Sequence, residues 1–237
     1  MPSYFEFLRR RPDHAVLLGG SALALVMVCL HAANEIESWN RARRNTELSV
    51  ANLTLVTEQE VTSTLQIIDV SLKVIAELTE LFPGRQLDAP AVGAVMKERR
   101  KDLPFVYQIA IFDSDGYTAQ STDDIPISTA ITAADRDYFA AHRDDPARGL
   151  VFGTPIVGRT TQRLMIPISR RIAGSDGKFA GAVVAFTDLQ KMAEVYDKID
   201  VGPGGAIGIV RGDGTVLARF PYREDTIGSS RHDTLLF

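Results

Sequence analysis

The first strong pattern in the chain is an uninterrupted apolar run, Ala15–Ala33 (AVLLGGSALALVMVCLHAA), with no Asp, Glu, Lys or Arg. Its length is close to the ~20 residues that a membrane-spanning helix needs. From Asn34 to Phe82 there is neither proline nor glycine, so the same helix is free to continue as a stalk until Pro83-Gly84 stops it. Leu65, Ile68, Leu72, Ile75, Leu78 and Phe82 then recur every three or four residues, drawing one apolar stripe along a helix. Between Leu48, Leu55 and Val61 the pattern is broken by Asn, Thr and Glu, and it fits a partner-facing stalk and a solvated linker equally well.

Beyond the stalk, Asp88 and Pro90 read as N-cap and first-turn residues of a short helix reaching about Lys101. The period then changes to that of strands. FVYQIAIF (Phe105–Phe112) is β-rich, and Asp115-Gly116 turns it into YTAQS. TAADRDYFAAH (Thr132–His142) reads as a helix capped by Thr132, with Asp135 complementing the helix dipole. Two strands, Leu150–Val157 and Arg163–Ile172, lead through an Asp176-Gly177 turn to FAGAVVAF, and Leu189–Ile199 reads as a closing helix.

The hairpin Ile109–Gly116 returns with the same spacing at Ile207–Gly214, as if a second unit opened near Val201. Only a short tail follows it. Ile207, Ile209, Val216 and Leu217 are therefore expected to be exposed, and the segment after about Val201 poorly ordered, with Glu35–Ile199 folding alone. VGPGGAIG (Val201–Gly208) is glycine-rich but precedes a strand, which makes it a turn and not a phosphate loop.

Composition narrows the function classes. The chain has 237 residues, 45% of them hydrophobic and 24% charged, enough for one large domain or two small ones. A net charge of -4 gives no basic field, so nucleic acid is not an expected partner. Cys29 is the sole cysteine, which excludes an intrachain disulfide or a cysteine-based zinc site. Cleavage as a signal peptide after Ala32 or Ala33 would put Leu30 or His31 where a small residue is wanted, so residues 15–33 read as an uncleaved anchor in the lipid bilayer. Arg9, Arg10 and Arg11 before the span are matched by Arg41, Arg43 and Arg44 after it, but His14 before and Glu35 and Glu37 after favour a cytoplasmic N-terminus and an exported body. Trp39 suits an interfacial anchor on the far side.

No nucleophile elbow, kinase signature or metal-ligand spacing occurs, so no catalytic residue, cofactor or metal is expected. His142 stands alone and reads as a surface or capping residue. Asp135 and Asp137, two apart on a helix, do not face each other as an acid-base pair would.

DRDYFAAH (Asp135–His142), VFGTPIVGR (Val151–Arg159), ISRRI (Ile168–Ile172) and DGKFAGAVVAF (Asp176–Phe186) resemble the membrane-distal module of the double Cache family. These are PAS-like extracytoplasmic sensors of histidine kinases and diguanylate cyclases. The resemblance runs from about Glu35 to the end and departs at the C-terminus, where the rest of a second module, a second membrane helix and an output domain would follow. It implies an α+β fold, in which a five-stranded antiparallel sheet carries the long helix behind it and a ligand pocket in front. In amino-acid-binding relatives an Arg-x-aromatic-aromatic motif grips the ligand carboxylate and a later acid takes its amine. Arg136-Asp137-Tyr138-Phe139 matches the motif and Asp188 the acid, whereas Phe139 replaces the usual Tyr and Ile131 stands where relatives often carry another Tyr.

On this reading Arg136 either grips a carboxylate bidentately or pairs with Asp135, Asp137 or a nearby loop. Tyr138 faces the pocket and Phe139 the core. Asp188 contacts the ligand or caps the following helix. Arg170 shares a strand face with Leu164, Ile166 and Ile168 and joins the candidate ligand-binding set, with either Arg170 or Arg171 pointing inward or paired, while Arg159 belongs to a hairpin turn.

The expected organisation is a cytoplasmic tail and transmembrane helix (1–34), a long helix with the sensor domain (35–200) and an incomplete PAS-like unit (201–237). The expected function is that of an inner-membrane-anchored sensor region with its body in the periplasm, binding a small molecule and pairing as a homodimer through the stalk. The alternatives are an anchored structural or partner-binding protein with a vestigial pocket, and a secreted hydrolase.

Overall fold

The computed structural model of the protein describes residues 12–81, 87–123, 131–202 and 204–230. Phe82 and Pro83-Gly84, the expected end of the stalk, lie outside the described residues. The elements are α1 (Pro12–Glu80), α2 (Pro90–Lys101), β1 (Val106–Asp113), β2 (Thr118–Ser121), α3 (Asp137–Asp144), β3 (Val151–Phe152), β4 (Ile156–Val157), β5 (Leu164–Ala173), β6 (Phe179–Asp188), α4 (Leu189–Tyr196), β7 (Ile207–Val210) and β8 (Val216–Phe220). By density of contacts the chain divides into two units, Met1–Gln59 and Glu60–Phe237.

The described part of the first unit is helical throughout, as the absence of interior proline and glycine after Gly20 leads one to expect. Its apolar side chains from Val16 to Leu30 are exposed, so this stretch of the helix presents an apolar surface. α1 is the one described helix long and apolar enough to cross a membrane. The Ser21 hydroxyl is satisfied within the helix, donating to the Leu18 carbonyl at 3.0 Å. Further along, Arg41–Glu37 and Arg43–Glu47 pair across one helical turn, which suits a solvated stalk.

The second unit is built on an antiparallel sheet of order β2-β1-β6-β5-β3, with β4 also on β5. β3 and β4 are two residues each and share one edge of β5, at Ser169–Ile168 and Met165–Leu164. The sheet thus has five strand positions with a broken outer edge. The expected continuous strand Leu150–Val157 is interrupted at Thr154 and Pro155: Gly153 N–H still donates to the Pro167 carbonyl of β5 at 2.8 Å, but Thr154 N–H turns to Asp137, and Pro155 has no N–H to give.

Side chains of successive strand residues point to opposite faces, and both faces of this sheet are covered. On one side Ile68, Leu72 and Ile75 of α1, with Val92 and Met96 of α2, are buried together with Ile109, Ile111, Ile166, Ile168, Ile172, Val183 and Ala185. On the other, Tyr138 and Phe139 of α3 pack with Ala110, Phe112, Met165, Ala182, Val184 and Phe186. Double coverage explains why FAGAVVAF has no polar alternation. Gly181 is required at its position: its φ is +149°, and a Cβ would run into the Phe112 carbonyl oxygen across the β1–β6 pair.

Several local expectations are corrected. α3 starts at Asp137 with Arg136 as its N-cap residue, four positions after Thr132 where the cap was expected. Thr132 is instead bridged to Tyr117, and its hydroxyl donates to the Asp115 carbonyl and accepts from Ala134 N–H. Asp135 binds Arg159 and does not serve the helix dipole. At α2 the N-cap residue is Ala89, with no side-chain cap, although Pro90 does open the helix. α4 ends at Tyr196, short of Ile199, because Asp197 closes it as the C-cap residue.

The repeated hairpin is real in detail. Gly116 and Gly214 have φ of +86° and +84°, and each pair carries a register shift at the same place, after Ile111 and after Ile209. Through residue 230, however, the expected exposure of the second copy is overturned at Val216 and Leu217, and Ile207 and Ile209 are half-buried. Val216, Leu217, Ala218 and Phe220 are buried, and the last three join the core under α1. Phe220 stacks on Tyr196 with ring centroids 5.2 Å apart, and Arg211 donates to the Phe152 carbonyl at 2.7 Å. The cover that the sequence did not supply locally comes from α4 and the sheet.

His142 is also corrected: it is fully buried at the end of α3. Its Nε2 lies 3.0 Å from Ser169 Oγ, whose own proton goes to the Tyr138 carbonyl at 3.3 Å. Nε2 therefore carries the imidazole proton, and Nδ1, which has no partner, is the unprotonated nitrogen. Burial pushes the His142 pKa down to about 4, with the Arg171, Arg148 and Arg170 charges acting the same way and the Ser169 bond opposing.

Two outcomes are expected. Leu72→Ala lowers stability by about 2–5 kcal/mol in urea unfolding, whereas Val70→Ala on the exposed face of the same helix stays within ~0.5 kcal/mol; equal effects would contradict the packing of the stripe. Because the folded pKa of His142 lies below its ordinary value of 6.5, its contribution is complete above that pH and is lost as the pH falls toward 4. That loss amounts to at most about 3 kcal/mol. His142→Gln should flatten unfolding midpoints over this window, and an unchanged slope would show that His142 is not the titrating group.

Candidate ligand-binding site

The face of the sheet opposite α1 holds a cavity of about 100 Å³. Its floor is set by strand alternation, with Gln108, Ala110 and Phe112 of β1, Met165 of β5 and Phe186 of β6 on one face. Ala110, the small residue among them, leaves the hollow. The walls are Thr118 and Ser121 from β2, Ile156 and the Gly158–Thr161 turn on the opposite side, and Arg136 and Tyr138 where the chain enters α3. The volume exceeds that of single waters and suits a short ligand.

Arg136 is half-buried at this wall, and its guanidinium makes no hydrogen bond or ion pair among the described residues. The neighbouring carboxylates are engaged elsewhere. Asp135 accepts from Arg159 at 2.6 and 3.2 Å, and this bond holds its carboxyl below the usual range. Arg159 also donates to the Thr132 carbonyl at 2.5 Å. Asp137 accepts from Tyr138 N–H at 2.7 Å, Thr154 N–H at 2.8 Å and the Thr154 hydroxyl at 2.7 Å. No Asp or Glu lines the cavity among the described residues, so its local charge is positive.

Tyr138 is packed edge-on against Phe186, with centroids 6.0 Å apart, and reaches the same cavity. Burial pushes its hydroxyl pKa up, so it stays a neutral donor. Phe139 points away, against Phe179 at 5.1 Å.

Asp188 and Arg170, the other two candidates, are not brought to this cavity. Asp188 is buried at the N-cap of α4, where it accepts from Gln190 N–H at 2.9 Å and Lys191 N–H at 3.4 Å, and its second oxygen takes Arg163 at 2.8 Å. Arg163 in turn lies 4.7 Å over the Tyr107 ring. Arg170 is on the opposite face, bidentate to Asp69 of α1 at 2.5 and 3.0 Å. Conversely, Arg159 lines the cavity although its sequence signal was only that of a turn residue. Its partner Asp135 is 24 positions away, and no local pattern announces a contact set by strand pairing. No cluster of three or more metal-ligating side chains occurs among the described residues.

No protein-family model and no curated protein matches the chain. Solved structures do. The extracellular domain of a protein described as a histidine kinase, rpHK1S-Z16, is similar at TM-score 0.63 and 29% identity over 75% of this chain and 71% of that one. The ligand-binding domain of the Pseudomonas fluorescens chemoreceptor CtaA, in complex with L-alanine, has TM-score 0.57 and 16% identity over 74% of this chain and 71% of that one. That of the Campylobacter jejuni chemoreceptor Tlp3, in complex with L-norvaline, has TM-score 0.53 and 13% identity over 69% and 65%. The second unit of this chain therefore has the fold of the extracellular Cache-type sensor domains of histidine kinases and chemoreceptors.

Proposed function

We propose that this chain is the membrane-anchored sensor region of a signal-transduction receptor, and that it binds a small carboxylate through Arg136. The observation that carries the reading is the uncommitted guanidinium of Arg136 at the wall of a cavity that no Asp or Glu lines among the described residues. Guanidinium matches a carboxylate bidentately, and the Tyr138 hydroxyl supplies a further donor beside it. A half-buried arginine usually has a protein partner; here the partner is the ligand.

The related chemoreceptor domains hold L-alanine and L-norvaline. For this chain a plain short-chain acid fits better than an amino acid, because Asp188, the acid expected at the amine, has both oxygens committed to Arg163 and to the α4 N-terminus. In this reading residues 15–33 lie in the inner membrane with the sensor body in the periplasm. The stalk pairs two copies, the chain is a binder and not an enzyme, and residues 201–237 open a second PAS-like unit. Arg170 acts in transmission, not in ligand contact: its bond to Asp69 ties β5 to α1, so a shift of the sheet on binding moves the helix.

The test is a thermal-shift series on the full chain with acetate, propionate, pyruvate and L-alanine. A ligand at a hundredfold its Kd adds about 2.7 kcal/mol to stability, and at least one of the three plain acids should raise the melting temperature more than L-alanine does. Arg136→Ala should leave the fold intact and weaken that acid roughly tenfold or more; Arg136→Lys, with charge but no fork, should fall between. A response to none of the acids would favour a vestigial pocket, and an unchanged response in Arg136→Ala would remove Arg136 from the site.

A further inference from the structure

A second cavity, of about 250 Å³, lies on the other face of the same sheet, and the carboxylate reading makes no use of it. Leu65 and Ile68 of α1, Ile168 of β5, Met192 of α4 and Leu217 of β8 give it an apolar wall. Thr64, Thr187, Tyr196 and Arg211 are its polar side chains, and the charge of Arg211 and the burial of Thr187 bear most on what it can hold. Arg211 is the charged residue at its rim, but its guanidinium is spent, donating to the Phe152 carbonyl at 2.7 Å, to Asp213 at 3.0 Å and to Thr215 Oγ1 at 3.2 Å. Thr187 is 5% exposed, lines the cavity, and its Oγ1 is buried with no hydrogen-bond partner.

We infer that this cavity is a second binding site, for a small neutral molecule with an aromatic or branched aliphatic body and one hydroxyl or carbonyl group that pairs with Thr187. An anion would give up its hydration without meeting a free cation. Size agrees: a cavity of roughly 150 Å³ lined by Leu, Ile and Phe takes benzene, so this one admits a ring with a substituent. Buried polar groups left unpaired are uncommon and call for a partner.

The two cavities share strands one residue apart. Met165 and Phe186 line the first, Ile166 and Thr187 the second, as alternation across a strand dictates. The second also touches α1 directly at Leu65 and Ile68, so its occupant bears on the helix without the sheet as intermediary.

The methionines provide the test. The chain has five, of which Met165 lines the first cavity, Met192 the second, and Met27 stands in the apolar run. With the full chain in lipid nanodiscs and ¹³C on the methionine methyls, phenol is titrated as the probe. The expected result is a saturable shift of Met192 with Met165 unmoved. Thr187→Val, which drops the hydroxyl and keeps the branched shape, should weaken phenol roughly fivefold and leave toluene unchanged. A Met192 signal that stays still, or drifts without saturation alongside Met27, overturns the site; phenol affinity unchanged in Thr187→Val overturns the assigned polar contact. Pyruvate titrated into the same sample is read at Met165, so failure of the carboxylate reading and failure of this one appear at different methyls.

Discussion

The apolar stripe of α1 against one face of the sheet is the contact on which the rest of the sensor unit depends. Ile68, Leu72 and Ile75 are essentially removed from water, as are Ile168, Ile172, Val183 and Ala185 opposite them. Each large aliphatic side chain so buried contributes about 1.5–3 kcal/mol. α1 covers that face except at the rear cavity, and the short α3 and the Gly158–Thr161 turn cover the other face only in part, leaving the front cavity. The Arg170–Asp69 pair at the flank of the helix contact is partly exposed. Its energetic contribution is small, on the order of 1 kcal/mol or less, and its consequence is geometric: it fixes β5 to one turn of α1.

Among the described residues, Arg136 lines the front cavity with its guanidinium uncommitted. Asp135 is matched by Arg159, Asp137 by Thr154 and backbone N–H, and Asp188 by Arg163 and a helix N-terminus. Asp135 and Asp137 flank Arg136 in the chain, and either of them left free would compete with a ligand for it. Their local engagement is what makes a carboxylate-binding reading physical and not merely positional. The same logic applied to the rear face gives the opposite preference, because there the arginine is spent and a neutral hydroxyl is left unpaired.

The parts of this fold that follow from local period were legible in the sequence. The stripe Leu65–Leu78, the Asp-Gly turns at Gly116, Gly177 and Gly214, and the doubly buried FAGAVVAF each carry their signal within a dozen residues. Arg136 and Tyr138 line the front cavity. What was not legible depends on strand pairing across long separations. Thr132 looked like a cap until its pairing with Tyr117 claimed it. Arg170 looked like a pocket residue, but the parity of β5 turns it toward Asp69, 101 positions earlier. His142 read as a surface group, yet Ser169 lies under it. The hairpin at β7–β8 seemed uncovered because Tyr196 and the core beneath α1 are remote from it in sequence.

The most direct measurement of the central claim is a crystal structure of the protein grown with pyruvate. The account predicts carboxylate density in the front cavity, with both oxygens about 2.9 Å from the Arg136 guanidinium nitrogens and Asp135 still on Arg159. A ligand bound elsewhere, or Arg136 turned onto Asp135 or Asp137 with the cavity filled only by water, would contradict it.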